Sequence, residues 1–537
     1  MELLAVGVLG LLVIAAARGL GDRTGLAAPL LLVGVGTGVS LLPFTPDVTV
    51  DPELVLTAIL PPLLYSAAVS MPSMNFRREF TSISGLSVAL VLLTSLVLGA
   101  FLSWVVPGLS FAWGVALGAV LSPTDAVATS IARQVGLAPR VMAMLEGESL
   151  LNDATALVLL RTATVAAAAS FSLPTAVASF LWSVALASVL GWVVGRANLA
   201  LRARTADPTV NTAVSFAVPF VAALPAEAFG ASGLVAAVVT GIVTGHGAPR
   251  YLSPAHRLSD AQNWRTLELV LEGAVFLLMG LQLSSLLAAV HAEHAGVPTA
   301  LGLAGAALGL TLLVRALFVG PLLLGLRRLS RHGRALRPRV QRIDAALRDP
   351  DRRDDVASRL RRRVRGRRGE PDLDRFGTRV RRRLADLDYF LAAPVTARDG
   401  VVLVWAGMRG AITVAAAQTL PPETPDRALL VLIAFTVAAL SLLLQGGTLP
   451  AVVRAVGPSR VDPLVQAEQR EAVRTMLAAV PAPEDADLEP RQRRLATVRA
   501  RREVLLEARD DGLYDAEALD EALGDLDAVE LTLLRRH

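Results

Sequence analysis

The chemistry-bearing residues of this chain are carboxylates set in apolar surroundings. Asp125 closes Ser122-Pro123-Thr124-Asp125, and Asp153 closes Glu146-Gly147-Glu148-Ser149-Leu150-Leu151-Asn152-Asp153. Both lie in apolar runs joined by a short turn, Gln134 to Pro139, which Arg133 and Arg140 bracket. Asp125 is eight residues before Arg133 and Asp153 thirteen after Arg140. At about 1.5 Å per residue both acids lie roughly 12–20 Å from one membrane face, near the midplane of a core about 30 Å thick. An ionisable group there is costly, so its default reading is functional. Oxygen ligands of this kind suit hard cations, and no His or Cys cluster argues for a transition metal.

The neighbouring polar residues share helix faces with these acids. Ser149 and Asp153 are four apart, as are Glu148 and Asn152. Farther on, Trp405-Ala406-Gly407-Met408-Arg409-Gly410 places Arg409 eleven residues from Arg398, again near mid-depth. An arginine there needs a partner, and Glu148 is the expected one, as a structural ion pair. Simpler roles stand beside the functional ones. Asp125 could cap a helix, Ser149 could bond back to its own helix, and Glu272 and Arg161 could pair or snorkel instead of lining an ion path. His246, His291 and His294 fall near span ends, where surface positions account for them.

The elements that must hold these residues are membrane helices. The chain is 53% hydrophobic without counting its 42 glycines, above the roughly 45–50% that soluble domains reach with glycine included. About thirteen sustained apolar runs of spanning length are expected, the least distinct boundary lying within residues 209–246. Glu2 to Ala17 lacks a basic leader region and reads as a retained first span. Pro123 removes a backbone donor and predicts a helix break just before Thr124, and Gly407 and Gly410 suggest a second break around Arg409. The broken spans are the fifth and twelfth, as expected of two inverted six-helix repeats separated by one linking span. The fold class is therefore all-α and polytopic.

Arginine falls on alternate loops (Arg77 and Arg78, Arg133 and Arg140, Arg202 and Arg204), while the opposite loops carry Asp47, Asp51 and Glu293. By the positive-inside rule the N-terminus is expected outside and the C-terminus in the cytoplasm. Domain boundaries follow: membrane segments at 1–326 and 400–457, an Arg-rich cytoplasmic insert at 327–399, and a cytoplasmic helical tail at 458–537, expected as a small hairpin. The insert, with Arg361-Arg362-Arg363 and Arg381-Arg382-Arg383, is expected to be solvated or to meet anionic lipids. Its few aromatics argue against nucleic acid. The chain has no cysteine, which excludes disulfides and thiolate metal sites.

Ser122-Pro123-Thr124-Asp125, Glu148-Ser149-Leu150-Leu151-Asn152-Asp153 and Gly407-Met408-Arg409-Gly410 together resemble the monovalent cation:proton antiporters. The nearest branch is the bacterial NhaP-type sodium/proton antiporters, with the animal sodium/proton exchangers. Leu60-Pro61-Pro62-Leu63-Leu64-Tyr65 and Phe276-Leu277-Leu278-Met279-Gly280-Leu281 extend the resemblance, which covers residues 1–457.

The resemblance implies a homodimer in a bacterial cell membrane, no enzyme activity, no cofactor, and two unwound helices crossing beside the ion site. Asp153 would bind cation or proton, Thr124 and Ser149 would lend oxygens, Asp125 would contribute a direct or water-mediated contact, and Glu148 with Arg409 would form the structural pair. Asn152 matches the family's mark of electroneutral exchange. Ser66 stands where many NhaP-type members place an acid, so sodium is expected first, with potassium or lithium open. The implied role is pH and cation homeostasis. The settings of an intramembrane aspartyl protease are missing around both acids, and a transport-inactive sensor signalling through the tail is the alternative.

Overall fold

The computed structural model describes residues 2–42, 51–168, 173–292, 296–349, 373–459, 463–482 and 489–535. Asp47, Glu293, His294, Arg361 to Arg363 and the last proline of Pro481-Ala482-Pro483 lie outside these residues. The described residues form helices and connecting turns, with no strand among them. Among the described residues, eight helices are long and apolar enough to cross a membrane, and three shorter apolar ones accompany them. The chain divides into two compact units.

The first unit comprises Met1–Leu137, Val141–Gly320 and Arg398–Pro458. Its early helices are α1 (Glu2–Thr24), α2 (Ala28–Ser40), α3 (Pro52–Ser70) and α4 (Ser73–Val105). The broken span follows as α5 (Phe111–Leu121) and α6 (Val127–Val135). Next come α7 (Pro139–Ala168), α8 (Leu173–Arg202), α9 (Pro208–Ala228), α10 (Gly233–Tyr251), α11 (Pro254–Leu281) and α12 (Leu283–Ala292). Helix α13 (Val297–Arg348) contributes to both units. The second broken span is α15 (Ala397–Trp405) and α16 (Ala411–Gln418), after α14 (Leu373–Ala392), and α17 (Arg427–Val456) closes the unit.

Local chemistry marks the ends of these helices. The hydroxyls of Ser110, Ser232 and Ser253 accept the free N–H groups at the starts of α5, α10 and α11. The 209–246 boundary is resolved by Gly230, whose φ of 71° turns the chain between α9 and α10, while Pro219 and Pro225 stay inside α9. Close packing uses small residues four apart. A Cβ on Gly114 or Gly118 of α5 would strike the α4 backbone at Gly99 and Ser95, and one on Gly241 or Gly245 of α10 would strike that of α3. Without a strong hydrophobic drive between helices in lipid, such backbone approach supplies dispersion contacts in its place. Helix α5 also packs against α16 and α17, which sets the two broken spans side by side.

The second unit comprises Ala138–Arg140, Pro321–Ala397 and Ser459–His537. Helices α19 (Pro490–Asp511) and α20 (Ala516–Arg535) form the expected tail hairpin around Gly512, and a third helix, α18 (Pro463–Ala478), packs on it. Val498, Leu505, Leu519, Leu523 and Leu526 are buried, and Arg502 bonds Asp527 at 2.8 Å. Arg140, expected in an aqueous loop, is 3% exposed and donates to the Ala393 carbonyl at 2.8 Å, its guanidinium 4.9 Å from the Phe390 ring.

Candidate functional site: two broken helices beside a buried carboxylate

Pro123 carries no N–H and cannot continue α5, so residues 122–126 leave the helix. Residues 406–410, which carry Gly407 and Gly410 and no proline, also leave their helix, after α15. The two breaks touch: the Asp125 N–H donates to the Met408 carbonyl at 2.7 Å. Gly410 is required at this contact, since a Cβ there would coincide with the Asp125 carboxylate.

Each break frees backbone groups that have no water to turn to, and each is met by a side chain. The Arg409 guanidinium donates to Leu121 O at 2.9 Å, to Ser122 O at 3.4 Å and to Gly407 O, so it closes the C-terminal end of α5. Arg315, from α13, donates to Leu403 O at 2.9 Å and serves the end of α15 in the same way, while Gln445 meets Trp405 O at 2.8 Å. Cations suit these ends because the helix dipole is negative there. At the opposite polarity, Asp125 Oδ1 accepts the Val127 N–H at 2.9 Å, and its carboxylate lies against Gly410, the N-cap residue of α16. One acid therefore sits at the positive ends of α6 and α16, so the capping role open in the sequence is the one the geometry realises.

The expected Glu148–Arg409 pair is corrected by the structure. Glu148 pairs with Arg315, Nη1 to Oε1 and Nη2 to Oε2, the latter at 2.8 Å, with both residues no more than 2% exposed. The three carbonyls freed around Pro123 and Gly407 occupy Arg409, leaving the Glu148 carboxylate to a fork that meets it bidentately. Arg315 was legible as a lone charge twelve residues before Arg327 in an apolar run, which places it near mid-depth. Without a folded chain nothing tied it to Glu148.

A polar chain continues from this pair. The Thr124 hydroxyl donates to Glu148 Oε1 at 3.2 Å and accepts from Asn152 Nδ2 at 2.7 Å, and Asn152 Nδ2 also lies 3.4 Å from the Thr124 carbonyl. Asn152 is 1% exposed and its Oδ1 has no hydrogen-bond partner, an orphaned acceptor beside the first break. Asp153, next in sequence and 6% exposed, lines a void of about 10 Å³ with Pro123, Ala119, Ile412 and Thr413, close to the room one water needs. Among the described residues its carboxylate accepts no hydrogen bond.

The other expected ligands are placed differently. The half-buried Ser149 donates back to Glu146 O at 3.3 Å, within its own helix. Ser66 is buried on α3 and makes no hydrogen bond to Thr124, Asn152 or Asp153. Arg161 pairs with Glu227 at 3.1 Å, and Glu272 is half-buried on α11.

Comparison with known proteins agrees with this architecture. A family profile described as sodium/hydrogen exchanger, transmembrane, matches residues 8–343. An uncharacterised Na+/H+ exchanger of Mycobacterium bovis is 30% identical over 446 residues, 81% of this chain and 71% of its own length. YjcE, an uncharacterised Na+/H+ exchanger of Escherichia coli, is 38% identical over 269 residues, about half of each chain (48% and 49%). A sodium, potassium, lithium and rubidium/H+ antiporter of Bacillus pumilus is 30% identical over 276 residues, 50% of this chain and 41% of its own. The sodium proton antiporter MjNhaP1 of Methanocaldococcus jannaschii shares the fold, with a TM-score of 0.59 at 15% identity over 85% of this chain and 99% of its own.

Proposed function

This chain belongs to the sodium/hydrogen exchanger family of multi-pass membrane proteins, and we propose that it exchanges one monovalent cation for one proton by alternating access, with Asp153 as the group both compete for. The observation that carries the reading is the unpartnered, buried Asp153 carboxylate beside the contact of two broken helices. An ionisable group inside a membrane is costly and functional by default, and broken helices at such depth line ion sites.

The remaining oxygens fit a hard cation. Asn152 Oδ1 is unsatisfied, and the Thr124 carbonyl takes only a long 3.4 Å bond. Asp125 acts from the helix ends, and Ser149 would join only by leaving the Glu146 carbonyl. With Asn152 neutral, one carboxylate carries either one proton or one cation, so the cycle moves no net charge. Sodium is the first candidate. Potassium and lithium follow, because Ser66 adds no charge and the Bacillus relative is named for several alkali cations.

The Arg-bearing loops set the cytoplasmic face, so the chain enters from outside and its tail ends in the cell. Two inverted six-helix repeats, a homodimer, anionic lipids at the Arg-rich insert and a role in pH and cation homeostasis complete the reading.

The test is proton flux in proteoliposomes under an imposed pH gradient, with sodium, potassium and lithium added in turn. Wild type should collapse the gradient on cation addition, and Asp153→Asn should not while still inserting and melting like wild type. Exchange retained by the variant would remove Asp153 from its role. Silence of folded wild type towards every cation from acid to alkaline pH would favour the sensor reading.

A further inference from the structure

On the side of Asp153 away from Arg140, the first unit forms a half-open cavity of about 750 Å³. Leu157 and Leu160 line both this cavity and the small void at Asp153, and no other residue does. They lie four and seven residues beyond Asp153 on α7, so these two leucines stand between the void at the carboxylate and the larger space. Three charges stand in the cavity wall, Glu53 from α3, Arg161 from α7 and Glu227 from α9, among several serine and threonine residues. The Arg161 and Glu227 side chains meet at 3.1 Å and remain 60% and 29% exposed, so the pair faces the cavity and is not sealed into the bundle.

We propose that this cavity is the cation's antechamber on the face opposite the Arg-bearing loops, and that Arg161 and Glu227 set cation affinity from that face alone. The proposal rests on the exchange function above. Glu227 and Glu53 make the wall net acidic, which concentrates cations ahead of the leucine septum, and Arg161 offsets part of that field. Arg161 lies eight residues from Asp153, about 12 Å along the helix. Neither member lines the void at Asp153, and Arg161, itself a cation, ligates no cation. The distance is short enough for a unit charge in a watery cavity to change ion occupancy about two- to fivefold. Both residues are therefore positioning and specificity groups, distinct from the ion-binding set.

Right-side-out and everted vesicles, with sodium varied on one face at a time, resolve the two faces. Arg161→Gln should lower the half-saturating sodium concentration on the cavity face about two- to fivefold, and Glu227→Gln should raise it by a similar factor. Neither should move the value on the other face, and Arg161→Lys and Glu227→Asp should restore wild-type values. Raising ionic strength with choline chloride should erase the differences, because at about 1 M the screening length falls to about 3 Å. A merely structural pair would not respond in this way. Equal shifts on both faces, shifts that persist at high ionic strength, or no shift in variants that exchange normally would overturn the proposal and leave the exchange reading intact. Absence of cation-triggered flux in wild type would overturn both.

Discussion

Arginine decides much of this site. Arg409 and Arg315 are each at most 2% exposed, and each spends its donors on carbonyls that a broken helix cannot satisfy itself. Arg315 in addition neutralises Glu148, so the membrane interior holds a bidentate pair, with Glu148 also accepting from Thr124. Breaking a buried pair by removing one partner costs about 3–5 kcal/mol, because the survivor is left charged and unpaired. Arg315→Gln should therefore lower the melting temperature of the detergent-solubilised protein markedly, and Glu148→Gln combined with it should add little further. Arg409→Ala should also destabilise, and its coupling to Glu148→Gln should be weaker than that of Arg315→Gln, since Arg409 and Glu148 share no hydrogen bond. Coupling between Arg409 and Glu148 as strong as that between Arg315 and Glu148 would contradict the pairing seen here.

Among the elements, the two broken spans matter most. At each break the carbonyls of the first half-helix are met by an arginine from another segment, and the second half-helix begins beside the Asp125 carboxylate. The breaks contact each other through the Asp125 N–H and Met408 O, and Gly410 allows that approach. A methyl group at this position has nowhere to go, because its neighbour is the carboxylate that caps α6. Gly410→Ala is thus expected to reduce exchange at least tenfold in the proteoliposome assay, with a smaller loss from Gly447→Ala, where an added Cβ meets nothing. Exchange unchanged by Gly410→Ala would show that the two breaks tolerate separation. Helix α7 carries Glu148, Asn152 and Asp153 without interruption, so a continuous helix presents the carboxylate beside the free ends of the broken spans.

In the whole molecule, every residue assigned to the ion site belongs to the first unit, and residues 459–537 belong to the second. The tail makes its own core from Val498, Leu505, Leu519, Leu523 and Leu526. A chain ending at Pro458 should therefore still show Asp153-dependent flux, measured against the full-length protein at matched abundance. Loss of flux from a stably inserted truncation would assign the tail a part in the transport cycle.

Hydropathy, the position of Pro123 and the depths of Asp125, Asp153 and Arg409 were properties of the sequence, because they follow from helix rise and bilayer thickness, which need no tertiary contact. The first break and the buried acid on the following helix were legible for that reason, and so was the second break at Gly407 and Gly410. Partnership was not. Glu148 lies near two mid-depth arginines, and the choice of Arg315 over Arg409 depends on which carbonyls the folded chain leaves unpaired. The same limit left the use of the Ser149 hydroxyl undecided between its own helix and the ion, and it hid the burial of Arg140 and the cavity between Glu53, Arg161 and Glu227. Depth is a one-dimensional property that the sequence determined by itself. Which groups face one another across helices is a three-dimensional one, and only packing decided it.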